Sequence, residues 1–282
     1  MAEFDLAKLR RERLRRWHLA GNPIAGVGEA IAFFRHTGFC LSHRSRTFLT
    51  PSLIEAIAGG KHGVPAYADA SGHPLYRRYV EIRREHEVRK LVLEAPLLHR
   101  RHTHVMRDLI IDFARLLADS PLPDRRTPES KLAARRVLGA VADRGPLSKR
   151  ALRLRFARGG AALRPPVLDR VLLDLESRLQ LCTIDYNEKE GAFYDLFARA
   201  ERSLAVRAAH RSRETGLDHL VGRYLSSALV VEPGRVREVF RGIASTEEVR
   251  TSLDRLIASE QISLVRTPEG AWLVGIALDT RR

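Results

Sequence analysis

Residues 129–197 constrain the fold of this 282-residue chain more than any other stretch. An apolar-periodic segment carrying Leu132, Val137, Leu138 and Val141 predicts a helix that stops at the Asp143-Arg144-Gly145-Pro146 breaker. Ser148 stands where it can cap a short second helix, Lys149 to Phe156, and a Gly159-Gly160 loop follows. A third helix starts at Pro165-Pro166, because the first N–H groups of a helix have no partner to lose. Its Val167, Leu168, Val171, Leu172, Leu175 and Leu179 make one broad apolar face. Two strand-like runs come next, Leu181 to Tyr186 and Ala192 to Leu196, joined by the polar turn Asn187-Glu188-Lys189-Glu190-Gly191. Helix, helix, helix, hairpin is the order of a winged helix-turn-helix module, an arrangement that most often docks on duplex DNA.

The pattern recurs. Leu217 to Leu229 reads as a first helix and Arg235 to Phe240 as a second. Ser245-Thr246-Glu247-Glu248 has the form of a capping box and opens a third helix with Val249, Leu253, Leu256 and Ile257 on one face. Ile262 to Val265 and Ala271 to Ile276 make a hairpin around Thr267-Pro268-Glu269-Gly270. A weaker third copy begins the chain: helix Val27 to His36, extended Phe39 to Ser42, then Thr50-Pro51-Ser52 capping helix Leu53 to Ala58. Repeats at irregular spacing point to tandem modules rather than a solenoid.

No apolar run approaches the roughly 18 residues that span a bilayer, and the charged, amphipathic N-terminus lacks a secretory apolar region, so the expectation is a cytoplasmic, nucleoid-associated protein with no membrane partner. Cys40 and Cys182 read as small buried apolar residues in strands, since a zinc site wants about four ligands at short spacings. Charge is distributed unevenly. Residues 1–164 hold 32 Lys and Arg against 16 Asp and Glu, whereas 165–282 hold 17 against 18. The densest part, 124–164, sets 12 basic residues against Asp124, Glu129 and Asp143. A concentrated basic surface is the footprint of a polyanion partner, because each neutralised phosphate releases counterions.

Residues 3–19 read as a basic helix with Phe4, Leu6, Leu9, Leu14 and Trp17 available to pack; an arm on DNA and a first packed helix both stay open. Residues 60–73 read as a loop, and from Leu75 to Leu117 helical signals dominate, interrupted at Ala95-Pro96. The clearest linker is 119–128, and a second boundary lies near Glu214-Thr215-Gly216. His99, His102 and His104 stand close in sequence, but adjacent Arg89, Lys90, Arg100 and Arg101 disfavour a divalent ion and no carboxylate sits among them, so no metal site is expected. Phosphate-loop, dinucleotide and Gly-x-Ser-x-Gly motifs are absent, and no carboxylate pair stands out as an acid/base couple. Neither of the two later third helices is basic: 166–179 sets Arg170 and Arg178 against Asp169, Asp174 and Glu176, and 245–259 sets Arg250 and Arg255 against Glu247, Glu248 and Asp254. The second helix of the middle module has only positive charge, so phosphate contacts are expected on 149–164 before base readout on either third helix.

The runs Glu29-Ala30-Ile31-Ala32-Phe33-Phe34, Gly38-Phe39-Cys40 and Pro51-Ser52-Leu53-Ile54-Glu55-Ala56-Ile57 resemble the N-terminus of AlkZ-related proteins, relatives of the bacterial AlkZ/YcaQ DNA glycosylases. Gly145-Pro146-Leu147-Ser148-Lys149-Arg150-Ala151-Leu152 and Phe193-Tyr194-Asp195-Leu196 are similar to the same proteins. The resemblance covers roughly residues 27–260. It implies tandem winged helices, DNA as partner and a connection to excision of alkylated or crosslinked purines. The family's Gln-x-Gln or Gln-x-Asp motif does not carry over: the matching residues are Leu41-Ser42-His43, with no second polar partner evident for His43.

The sequence therefore predicts a mostly α protein with small β wings, built of tandem winged helix-turn-helix modules: 1–120 with the basic helix and a degenerate module, 121–213 with the middle module, and 214–282 with the C-terminal module. It predicts binding to double-stranded DNA, with recognition of damaged or distorted DNA in repair, no cofactor, no catalytic residue and no base release. The DNA contacts are assigned to Arg44, Arg46, Arg100, Arg101, Lys149, Arg150, Arg153, Arg155, Arg158, Arg164 and Lys189. Two alternatives stay open: a divergent DNA glycosylase using His43 or Glu55, and a winged-helix interaction scaffold or transcriptional regulator that meets a protein partner through the C-terminal module.

Overall fold

The computed structural model describes residues 5–60, 73–118, 120, 122, 126–157, 163–266 and 272–276. The molecule is mostly helical, with three small antiparallel sheets of three strands each. Every sheet is built the same way. A helix leads into a short strand, two or three helices follow, and a hairpin closes the unit with its second strand in the middle of the sheet. In the first unit these are α2 (Val27–Thr37), β1 (Phe39–Leu41), α3 (Leu53–Ala58), α4 (Pro74–Arg84), α5 (His86–Leu91), β2 (Val92–Leu98) and β3 (Arg101–Met106), in sheet order β1-β3-β2. After α6 (Arg107–Ala118), the middle unit has α7 (Pro128–Arg144), β4 (Leu147–Ser148), α8 (Lys149–Phe156), α9 (Pro165–Ser177), β5 (Leu181–Asn187) and β6 (Gly191–Leu196), in order β4-β6-β5. Helices α10 (Phe197–Ala200) and α11 (Arg202–Ala209) lead to the last unit: α12 (Arg213–Ala228), β7 (Val230–Val231), α13 (Pro233–Phe240), α14 (Thr246–Ala258), β8 (Ile262–Arg266) and β9 (Trp272–Ile276), in order β7-β9-β8.

Local chemistry sets most helix starts. The Ser148 hydroxyl accepts from the Ala151 N–H at 3.0 Å. Ser245 and Glu248 form a reciprocal capping box, with bonds of 3.1 and 2.7 Å. Ser52 caps α3 and also donates to the Glu55 carboxylate at 2.9 Å. Helix α2 ends at Gly38, whose φ of +74° suits glycine, and a Cβ there would lie 2.6 Å from Arg223 Cγ.

Several expectations are corrected. The helical reading of 75–117 fails across 92–106, which is the β2–β3 hairpin and makes the first unit a full copy of the pattern. Its turn is His99-Arg100, both left-handed at φ 52° and 59°, a conformation usually signalled by Asn-Gly and here carrying neither. Pro96, which cannot donate to a ladder, falls where the register shifts between Ala95 and Leu98. Leu132, expected on a packed face, is exposed, and Leu179 lies beyond the end of α9. The last unit opens at α12, which is capped by Ser212 and holds 214–216 in its first turn. At the N-terminus the first helix buries none of its own residues and is anchored just beyond its end. Helix α1 (Leu6–Arg16) runs into a buried Trp17 whose indole donates to Ser227 Oγ at 2.9 Å, although Leu14 is exposed. Cys40 and Cys182 are free and buried, as expected. Phe4, most of the 60–73 loop and parts of the 119–128 linker lie outside the described residues, as do Gly159-Gly160, Ala271 and the turn 267–270.

The cores tie the units together unequally. Phe39 of β1 packs against Phe113 of α6, Tyr224 of α12 and Phe240 of α13, so the first and last units share one apolar core. The middle unit has a core of its own, with Val137, Val141, Leu152, Phe156, Leu168 and Leu172 among its members, and lends Leu179 and Cys182 to the shared one.

Candidate functional site

Strand alternation sorts the first sheet into an apolar and a polar face. Phe39, Leu93 and Val105 are paired neighbours that point into the shared core. Cys40 and Glu94 both pair with His104, so these three point to the other side. Ser42 and His102 extend that face, and α4 covers it with Tyr79 and Arg83. His104 is buried, with its Nε2 3.1 Å from Ser42 Oγ and 3.4 Å from the Tyr79 hydroxyl. The Glu94 carboxylate meets Arg83 Nε at 3.1 Å on one oxygen and His102 Nδ1 at 3.3 Å on the other. His43 is half-buried beside the Tyr79 ring, 5.8 Å between centroids. His102 opens the cluster to solvent, its side chain 57% exposed.

The electrostatics divide these groups by protonation state. Burial opposes ionising Glu94, but the imidazoles of His104 and His102 and the Arg83 guanidinium outweigh it and hold the carboxyl down to about 2. Burial pushes His104 down to about 4 against the attraction of Glu94, so it is neutral at pH 7. Burial, then His102, lowers His43. The hydrogen bond with Glu94 raises His102. Burial raises Glu176 of α9, against its hydrogen bond from Thr183. A buried ionised carboxylate that orients a solvent-facing imidazole is an arrangement that can hold or move a proton at His102 Nε2.

This corrects two sequence expectations. A carboxylate does sit among the histidines, and His43 does have polar neighbours. Glu94, Tyr79 and Arg83 escaped sequence reasoning because a helical reading of 92–106 keeps Glu94 away from His104, whereas the hairpin sets them opposite each other. The available signal was the alternation through Val92-Leu93-Glu94 and His102-Thr103-His104-Val105. Among the described residues no group of histidine, cysteine and carboxylate side chains is arranged to hold a metal ion.

Across 95% of this chain and 69% of the other, the fold matches the solved structure of Streptomyces sahachiroi DNA glycosylase AlkZ, with a TM-score of 0.59 and 14% identity. The chain has an AlkZ-like fold. The sequence matches no protein-family model and no curated protein. Among the described residues, no helix is long and apolar enough to cross a membrane.

The residues assigned to DNA fall into two groups. Around the polar cluster, Arg44, Arg46 and Arg101 are exposed, and Arg44 Nε lies 3.5 Å from Glu55. On the middle unit, Lys149 and Arg153 both reach Asp169 of α9 at 3.1 Å, and Arg150 reaches Glu190 of the β5–β6 turn at 3.5 Å. Arg155, Arg164 and Lys189 are exposed, and no carboxylate of the described residues pairs with them or with Arg46 and Arg101. Arg158 lies outside the described residues. Arg100 belongs to neither group. It bridges to Asp174 of α9 at 3.1 Å, where Arg126 and Arg178 also converge. The acidic residues that make α9 an odd groove reader are thus engaged inside the molecule.

Proposed function

We propose that this protein binds duplex DNA through tandem winged-helix units and recognises damaged or distorted DNA in repair without releasing a base. The observation that carries the reading is the set of exposed cations left unneutralised by the described carboxylates: Arg46 and Arg101 beside the polar cluster, and Arg155, Arg164 and Lys189 on the middle unit. The AlkZ-like fold and the repeated helix-strand-helix-hairpin order support it. Phosphate contacts of this kind carry no base identity, so affinity should be similar for unrelated duplex sequences and should fall steeply with salt, at about −0.9 in log K per log salt for each contact. Binding to intact, abasic, flap and single-stranded DNA at two salt concentrations tests the reading. Affinity unchanged between about 50 and 200 mM salt sinks it and leaves the scaffold alternative. On this reading the protein works in the cytoplasm at the nucleoid.

The Glu94–His102 pair favours a second reading, in which the cluster activates a water for base excision. Incubation with DNA carrying N7-methylguanine followed by alkali separates the two. Strand breaks above the no-protein control that vanish in Glu94→Gln and His102→Gln assign the activity; their absence supports binding alone.

A further inference from the structure

Helix α8 points its apolar side chains in two opposite directions. Leu152 and Phe156 are buried in the middle unit's core. Leu154, two residues from each, is turned about 200° away at 3.6 residues per turn. It is 65% exposed, the most exposed large apolar side chain among the described residues. Arg150, Arg153 and Arg155 surround it, and the helix contains no carboxylate. An isolated exposed leucine is ordinary on a surface. This one stands beside Arg155, whose guanidinium no carboxylate of the described residues pairs with, so a polyanion drawn to that charge is brought against it. The presenting surface is also braced. Ser148, the cap of α8, donates to Glu190 at 2.8 Å, and the Arg150 N–H donates to the Glu190 carbonyl at 3.1 Å, which ties the helix to the β5–β6 turn. Asp169 and Asp174 of α9 are held by Lys149, Arg153 and Arg100, so they set no unpaired carboxylate beside the outer face of α8.

We propose that Leu154 is a wedge that enters duplex DNA at a weakly stacked base step while the arginines of α8 hold the flanking phosphates. The inference rests on the DNA-binding reading and deepens it by naming what selects distorted DNA. Opening a stacked step costs a few kcal/mol, and less where a mismatch, gap or abasic site has already weakened it, so an apolar wedge prefers such sites without reading bases. Neighbouring phosphate contacts are indifferent to the defect.

The test uses the full chain and duplexes of one sequence, either intact or carrying a central mismatch or one-nucleotide gap, with 2-aminopurine beside the defect. Wild-type protein should bind the defective duplexes about tenfold more tightly and raise 2-aminopurine fluorescence. Leu154→Gln should keep the affinity for intact duplex and the salt dependence but lose both the preference and the fluorescence rise, and Leu154→Met should retain them. An unchanged melting temperature in Leu154→Gln confirms that the fold is intact. Duplex binding with no preference for defects, or a preference that survives Leu154→Gln, overturns the wedge alone. Absence of duplex binding overturns the wedge and the reading beneath it. A Leu154-dependent dimer in sedimentation without DNA overturns it too, by assigning the side chain to a second copy.

Discussion

Glu94 and His104 face each other across one strand pair; burial keeps His104 neutral, and the surrounding imidazoles and Arg83 keep Glu94 ionised against its burial. For His104 the consequence is a linkage between pH and stability. Its folded value of about 4 lies below the ordinary 6.5, so below pH 6.5 the unfolded chain takes up a proton that the folded chain refuses. Stability is therefore full above pH 6.5 and is lost as pH falls towards 4, by an amount on the order of 3 kcal/mol. Glu94 adds a second window, from its ordinary 4.5 down to about 2, as its stabilised carboxylate is protonated. Urea midpoints between pH 7.5 and 4.5 should fall in the wild type and flatten in His104→Gln. An equal slope in both proteins would place the proton elsewhere. Asp112 of α6 is a comparable buried carboxylate, fully covered and held by Arg211 Nε at 2.8 Å and His219 Nδ1 at 2.6 Å, which tie α6 to the turn before α12 and to α12 itself. Asp112→Ala should cost roughly 2–4 kcal/mol in chemical denaturation, since Arg211 loses its counter-charge and His219 its hydrogen-bond partner.

At the scale of elements, α8 and α14 make opposite predictions although both lie in helix-hairpin units. The exposed Arg155 of α8 has no carboxylate partner among the described residues, and Arg153 shares Asp169 with Lys149. On α14, Arg250 lies on Glu247 and Arg255 on Asp218, so little free charge remains. Arg153→Ala with Arg155→Ala should weaken binding to all duplex sequences alike and lower the salt slope by between one and two. Arg250→Ala should leave the slope nearly unchanged. A larger loss in Arg250→Ala, measured by the same titrations, would return α14 to the groove.

At the scale of the molecule, the β2–β3 turn is where the three units meet. His99 Nε2 lies 2.6 Å from the Glu238 carbonyl of α13 and its ring stacks on Phe48 at 4.3 Å, while Arg100 reaches Asp174 of α9. Two left-handed non-glycine residues cost energy locally, and these contacts from two other units offset it. The middle unit has its own core and adds Leu179 and Cys182 to the shared one, so Arg100–Asp174 is a polar tie beside an apolar seam. Asp174→Ala should split thermal unfolding into two calorimetric transitions with little change in helix content at low temperature. A single transition, merely shifted, would show that the apolar contacts suffice.

Much of this fold was legible residue by residue. Ser52, Ser148 and Ser245 cap the helices they precede, Pro165 opens α9, and Leu168, Val171, Leu172 and Leu175 turn inward, because a cap or an amphipathic face is decided by residues a few positions apart. The polar turn of the middle hairpin announced itself for the same reason. What only the tertiary structure decided depends on partners far away in the chain. The 92–106 hairpin turns on residues with no turn signature, since His99 and Arg100 are held there by α13 and α9. Glu94 becomes a candidate only once the hairpin sets it against His104 and α4 lays Arg83 across it. The acidic look of α9 is explained only by the cations that reach it from two other elements. Local rules fix where a backbone starts and stops, whereas the pairing of buried charge is settled by the free energy of the assembled core, which no short stretch of sequence contains.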